Sequence, residues 1–170
     1  ALSSPEDTFG LLRNVLGRLE SQLSVVRTGV ARRGALAAAT PSIWPALGWI
    51  SAGYGSRPDP LTGDPGYHQG LDISADRGTP IVATADGVVE SASWNGNYGN
   101  LMVIDHGNSI KTRYGHLAAF ASSVGATVKR RDVIGYVGAT GRTTGPHLHY
   151  EVVMSGQAID PLRLLASTPR

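Results

Sequence analysis

The stretch His147-Leu148-His149-Tyr150-Glu151-Val152-Val153-Met154 reads as one β-strand, rich in aromatic and β-branched residues over Tyr150–Met154. Side chains two apart in a strand share a face, so His147 and His149 point the same way, into one pocket. Two imidazoles on one face are weakly specific by themselves. Glu151 has the same parity. It is read either as a carboxylate behind a ligand imidazole or as a surface ion-pair partner.

Working outward, similar short β-rich segments lie between glycines at 80–84, 87–93, 100–105, 110–116 and 133–138. Asp105–Ser109 is a hairpin turn joining two of them. With 22 Gly and 10 Pro in 170 residues, the composition favours many turns between short strands over a helical bundle. A hydrophobic content of 41% is enough for one substantial core. The region from 48 to 166 is therefore expected to be one mainly β domain. Asp160-Pro161 opens a short closing helix through Leu165.

The N-terminal segment, residues 1–34, has a different texture. Ser4-Pro5-Glu6-Asp7 is a helix start signal with Ser4 as cap, and the helix is expected over 4–34. Phe9, Leu12, Leu16, Leu19, Leu23, Val26 and Val30 follow a 3-4 spacing, the seam of a coiled coil. Such a seam needs a partner: a twin in a homodimer, another helix, or the rest of this chain. Residues 35–47, with an alanine run, Thr40-Pro41 and Trp44-Pro45, read as a linker.

The formal net charge of +2 is too mild to point to nucleic acid. There is no cysteine, so neither a disulfide nor a thiolate metal site is available, and any zinc must be held by His and carboxylate. No apolar run approaches the ~18–20 residues of a membrane span. Because the chain starts at Ala1, it is expected to come from a longer precursor with a signal or membrane anchor.

Four of the five histidines fall in three signatures: His68-x-x-x-Asp72, Tyr114-Gly115-His116-Leu117 and His147-x-His149. A zinc hydrolase needs about three N/O ligands with one position open, and basic groups beside the metal to move protons. If residues 68–72 are extended, His68 and Asp72 share a face. Gly70 between them would admit another backbone or a substrate. His116 ends a candidate strand. His106 lies in the Asp105–Ser109 turn and is assigned to the turn or to solvent. The Gly/Asn-rich loop 94–100 carries Trp94, Asn95, Asn97 and Tyr98. With Tyr54, these residues are candidates for substrate binding.

Six stretches carry a resemblance: Gly53-Tyr54-Gly55-Ser56-Arg57, Tyr67–Ile73, Gly78–Ala83, Gly99–Gly107, Tyr114–Leu117 and Gly138–Val152. In this order and spacing the chain resembles the lysostaphin/LytM family of zinc metallopeptidases, which cut peptide cross-links in peptidoglycan. The resemblance implies a mostly antiparallel β-sheet domain with one zinc ion in an open groove between loops. It implies His68, Asp72 and His149 as zinc ligands, and His116 and His147 as the catalytic pair. All five positions are intact, unlike those of inactive regulatory members. Arg131 stands in a turn where relatives often have glycine, and should perturb only that turn. Stem peptides are the implied substrate, and an extracytoplasmic location, periplasm or cell envelope, follows from them. Two other readings are a non-catalytic cell-wall binding or amidase-activating module, and a D-alanyl-D-alanine carboxypeptidase. The carboxypeptidases carry a longer His-to-Asp spacing.

Overall fold

The computed structural model describes residues 5–165. Ser4, the expected cap, and Ala166, the expected domain end, lie outside them. The chain divides into two compact units, with the boundary between Ala37 and Ala38.

Helix α1 spans Pro5–Ala39, past the end expected at Gly34. One helical glycine costs only about 1 kcal/mol relative to alanine, and the alanines after it are the best helix formers. Pro41 then disfavours helical geometry at Thr40. The seam residues Phe9, Leu12, Leu16, Leu19, Leu23, Val26 and Val30 are all exposed. No helix among the described residues is long and apolar enough to cross a membrane.

The linker expected over 35–47 is thus helical to Ala39, and its remainder is packed. Val82 N–H donates to Pro45 O at 2.8 Å, and Ala46 is buried in the core. The Arg130 guanidinium donates to Ala38 O and Thr40 O at 3.3 and 3.1 Å.

Among the described residues thirteen strands follow: β1 (Trp49–Ala52), β2 (Gly55–Pro58), β3 (Pro65–His68), β4 (Leu71–Ser74), β5 (Pro80–Val82), β6 (Gly87–Trp94) and β7 (Asn100–Asp105), then β8 (Ile110–Gly115), β9 (Leu117–Phe120), β10 (Thr127–Val128), β11 (Val133–Val137), β12 (His147–Met154) and β13 (Gln157–Ile159). The main sheet is antiparallel and eight-stranded, in the order β1-β4-β12-β8-β7-β6-β10, with β13 on β12. A three-stranded sheet, β5-β11-β9, and the hairpin β2-β3 complete the β structure. The expected closing helix is a single 3₁₀ turn, Pro161–Arg163, capped by the Asp160 carboxylate.

All six segments expected as strands contain one. Those missed between 49 and 74 are four residues each. They are too short for a clear alternation, and β2 and β3 are largely exposed.

The core lies on one face of the main sheet. Leu148, Tyr150 and Val152 of β12 join Leu71, Ile73, Met102, Ile104 and Tyr114 there. The buried hydroxyls in this core are paired: Thr84 Oγ1 lies 2.9 Å from Tyr150 Oη and 3.2 Å from Tyr114 Oη. Hydrogen bonding removes the penalty of burying them. The intervening residues of β12, His147, His149 and Glu151, face the other way.

Arg131 adopts φ 80°, the left-handed conformation a glycine would supply. The turn is held by Asp132, whose carboxylate accepts from Lys129 N–H at 2.8 Å.

Candidate functional site

His149 of β12 sits directly across from Asp72 of β4 in the sheet register, and its Nδ1 lies 2.8 Å from Asp72 Oδ1. His68 ends β3, in the separate hairpin, and its Nε2 lies 3.1 Å from both Asp72 Oδ1 and His149 Nδ1. The segment 68–72 is therefore not one extended run. The chain turns at Gln69-Gly70 between two sheets, and that corner, not strand parity, brings His68 to Asp72. Gly70 is required there: a Cβ would come within 2.5 Å of Tyr150 O and 2.9 Å of His149 Cε1. The backbone that Gly70 admits is β12 itself.

The outer atoms of these residues have acceptors for partners. His68 Nδ1 is 2.7 Å from Gly53 O, and a carbonyl can only accept. His68 Nδ1 therefore carries a proton, and Nε2 is the nitrogen turned inward. His149 Nε2 is 2.9 Å from Glu151 Oε1, so Nε2 can keep a proton there while Nδ1 faces Asp72. Glu151 is fully buried and also accepts from Tyr98 Oη at 2.6 Å and Arg113 at 3.1 Å. Both readings of Glu151 are met in part: it stands behind the His149 imidazole and it pairs with Arg113, but in burial and not at the surface. Burial would raise its pKa, but the bonds from His149 and Tyr98 outweigh that and hold it ionised.

Three ligand atoms thus converge, one ring nitrogen each of His68 and His149 and an Asp72 oxygen, all within 4.8 Å of one another. Positive charge must sit among them, either a metal ion or a ring proton. The electrostatics carry the same demand. Burial disfavours a charged His149, yet Asp72 and Glu151 overcome it and raise its pKa to about 9. Asp72 is held well below the usual carboxylate range against its burial by His149 and His68. The set could hold one zinc ion, for which two imidazoles and a carboxylate are suitable ligands. Arg57 donates to the other Asp72 oxygen at 3.0 Å.

His116 lies just beyond β8, with φ 63°, and its N–H donates to Tyr98 O at 2.8 Å. This left-handed residue turns the imidazole back over the site, 4.6 Å centroid to centroid from that of His147. His116 Nδ1 meets Thr140 O at 2.7 Å and His147 Nδ1 meets Gly145 O at 2.9 Å. By the carbonyl argument both hold a proton on Nδ1, which leaves Nε2 as the nitrogen that can accept one. Burial pushes the His116 pKa down to about 4, so it is neutral near pH 7. His147 Nε2 stands 3.7 Å from Asp72 Oδ1.

These residues line a groove of about 660 Å³. Asn97 and Tyr98 line it too, whereas Tyr54 and Trp94 lie outside its lining. The Tyr54 hydroxyl donates to Ala158 O at 2.9 Å, and its ring packs edge-on against Tyr67. Trp94 ends β6, exposed, and Asn95 closes the following turn on Gly99 O. The loops 95–99 and 139–146 meet through glycines: a Cβ on Gly141 would come within 2.3 Å of Gly99 N. His106 is outside the site as expected, but it is buried, not solvated. Its Nδ1 donates to Asp86 O at 2.7 Å, and Nε2 lies 2.8 Å from Thr112 Oγ1.

Arg57, Asp59, Arg142 and Thr143 also line the groove, and the sequence reading assigned them no role. Arg57 and Arg142 lie in stretches that carried the resemblance, and charged residues in those loops were the available signal.

A model of Peptidase family M23 matches residues 66–161, which include all five of these His and Asp residues. The DD-carboxypeptidase/endopeptidase Mpg of Neisseria meningitidis serogroup B is 44% identical over 120 residues, 71% of this chain and 28% of that protein. A zinc containing peptidase from Vibrio cholerae superposes with a TM-score of 0.68 at 36% identity, covering 76% of this chain and 41% of that one. The catalytic domain of lysostaphin from Staphylococcus simulans gives 0.62 at 31% identity, over 68% and 90% of the two chains.

Proposed function

The chain belongs to Peptidase family M23, and on that premise we propose that it is a zinc-dependent endopeptidase hydrolysing the peptide cross-links of bacterial peptidoglycan. The observation that carries this reading is the convergence of ring nitrogens on one carboxylate. His68, His149, His116 and His147 each have one ring nitrogen held by a backbone carbonyl or by Glu151, and the other nitrogens of His68 and His149 meet at Asp72 Oδ1.

His68, Asp72 and His149 would hold the ion. When bound, zinc supplies Lewis acidity that polarises the scissile carbonyl and lowers the pKa of a water. Glu151 and Gly53 O orient the two ligand imidazoles. His116 and His147 stand ready as proton acceptors at Nε2, because Glu151, the glutamate that lines the groove, is taken up by His149, Tyr98 and Arg113. Either imidazole, once it has taken a proton from the attacking water, becomes a donor at Nε2. It can then stabilise the oxyanion or pass the proton to the leaving amine. General acid–base help of this kind is worth about 10²–10⁴-fold, and one oxyanion donor about 10²–10³-fold.

The aligned segment covers only 28% of the Neisseria relative, so substrate and activity are tested directly. Purified protein is given defined cross-linked muropeptides with and without a zinc chelator, and products are read by mass spectrometry. Cross-link cleavage that disappears with chelator is expected; intact dimers in both arms would reject the peptidase and favour a non-catalytic wall-binding module. The name of the Neisseria relative covers carboxypeptidase as well as endopeptidase, which supports a second activity, removal of terminal D-alanine. Release of alanine with cross-links untouched would reduce the function to that activity alone.

An extracytoplasmic location follows from the substrate. The exposed seam of α1 supports a coiled coil, hence a homodimer or a tether. Sedimentation of residues 1–170 against a form starting at Ile43 tests this, and identical monomers would remove the dimer.

A further inference from the structure

In the loop of the β2-β3 hairpin, the hairpin that ends at His68, Asp59 forms a two-pronged pair with Arg142. Arg142 Nη1 and Nη2 each lie 2.8 Å from one oxygen of the Asp59 carboxylate. Both residues line the groove that holds His68, His116, His147 and His149. The guanidinium fork is thus already set to receive a carboxylate, the group it fits best.

Three observations make Asp59 an exchangeable occupant. The pair is partly exposed, with side chains 38% and 26% accessible, so water can take over hydrogen bonds to either partner when it opens. Asp59 does not depend on Arg142, since its Oδ1 also accepts from Leu61 N–H at 2.9 Å and Thr62 N–H at 3.1 Å. Arg142, in turn, is held without Asp59. Its own N–H donates to Asn97 O at 2.8 Å, and the next residue, Thr143, places Oγ1 3.0 Å from His147 Nδ1. The fork therefore springs from the loop that positions a proton-carrying histidine.

We propose that Arg142 is a specificity residue that binds a free carboxylate of the substrate beside the scissile amide, displacing Asp59. This rests on the peptidase reading above and narrows it. The amides selected are those whose leaving nitrogen sits on a carbon bearing a carboxylate. D-alanyl–diaminopimelate cross-links and terminal D-alanine have that group. Cross-links to the lysine side chain and glycine bridges lack it.

The test uses zinc-loaded protein and two synthetic D-alanyl–diaminopimelate peptides, identical except that the carboxylate beside the scissile bond is free in one and a carboxamide in the other. Wild type is expected to favour the acid by roughly tenfold or more in kcat/KM, the scale of a charge-assisted pair. R142Q should bring that ratio close to one, chiefly by lowering kcat/KM for the acid. D59N removes the competing carboxylate and should lower KM for the acid. A merely structural ion pair would instead make R142Q and D59N fall together on both peptides. Equal rates for the two peptides in wild type, or an acid preference retained in R142Q, would overturn the proposal. Calorimetric binding of both peptides to zinc-loaded H147A separates the two levels. If wild type cleaves neither peptide but the acid still binds about tenfold tighter, the peptidase reading fails and the carboxylate site stands.

Discussion

Glu151 Oε1 lies 2.9 Å from His149 Nε2 in complete burial, on the side of the ring away from Asp72. His149 is therefore clamped between two carboxylates, and its ring orientation is fixed before any metal arrives. Removing a carboxylate behind a ligand histidine typically weakens metal binding about 10- to 100-fold. E151Q should show that loss in a zinc competition titration with a chromogenic chelator, and H149A should lose tight zinc altogether. Unchanged affinity in E151Q would mean the clamp is incidental, and stoichiometric tight zinc in H149A would break the ligand assignment.

The corner at Gly70 makes a different demand. Its missing Cβ keeps clear of Tyr150 O and the His149 ring. G70A should lower stability by about 1–3 kcal/mol, the usual range for overpacking, and weaken zinc binding at once. Thermal melts with and without zinc test both. A variant as stable and as zinc-competent as wild type would show that the corner yields easily.

His116 and His147 are expected to be separable from metal binding. H116A and H147A should each cut turnover by about 10²–10⁴-fold, while metal analysis still finds one zinc per chain. Near-wild-type hydrolysis by either variant would refute its role in proton transfer.

His106 links pH to folding rather than to catalysis. Burial lowers its folded-state pKa below the ordinary 6.5. Above pH 6.5 both states are neutral and its contribution is intact. As pH falls from there toward the folded pKa, the unfolded chain takes up the proton more readily, and stability declines. Zinc-free wild type should thus lose Tm more steeply below pH 6.5 than zinc-free H106N. Parallel Tm profiles for the two would mean His106 does not titrate in this window.

The chemistry of the site was legible in the chain because its residue types are rare there. With no cysteine and five histidines, few side chains could bind zinc. The alternation of β12 put His147, His149 and Glu151 on one face, as strand geometry requires. What one-dimensional spacing could not supply was the path of the chain between strands. His68 and Asp72 meet through a corner between two sheets, and His116 reaches the site through a left-handed residue beyond its strand. Residues far apart in sequence, Asp59 with Arg142 and Glu151 with Tyr98, come together only when loops from different sheets close over the groove. A local pattern determines which face a side chain takes. Only long-range packing decides which partner it meets there, and hence which nitrogen of each histidine keeps its proton.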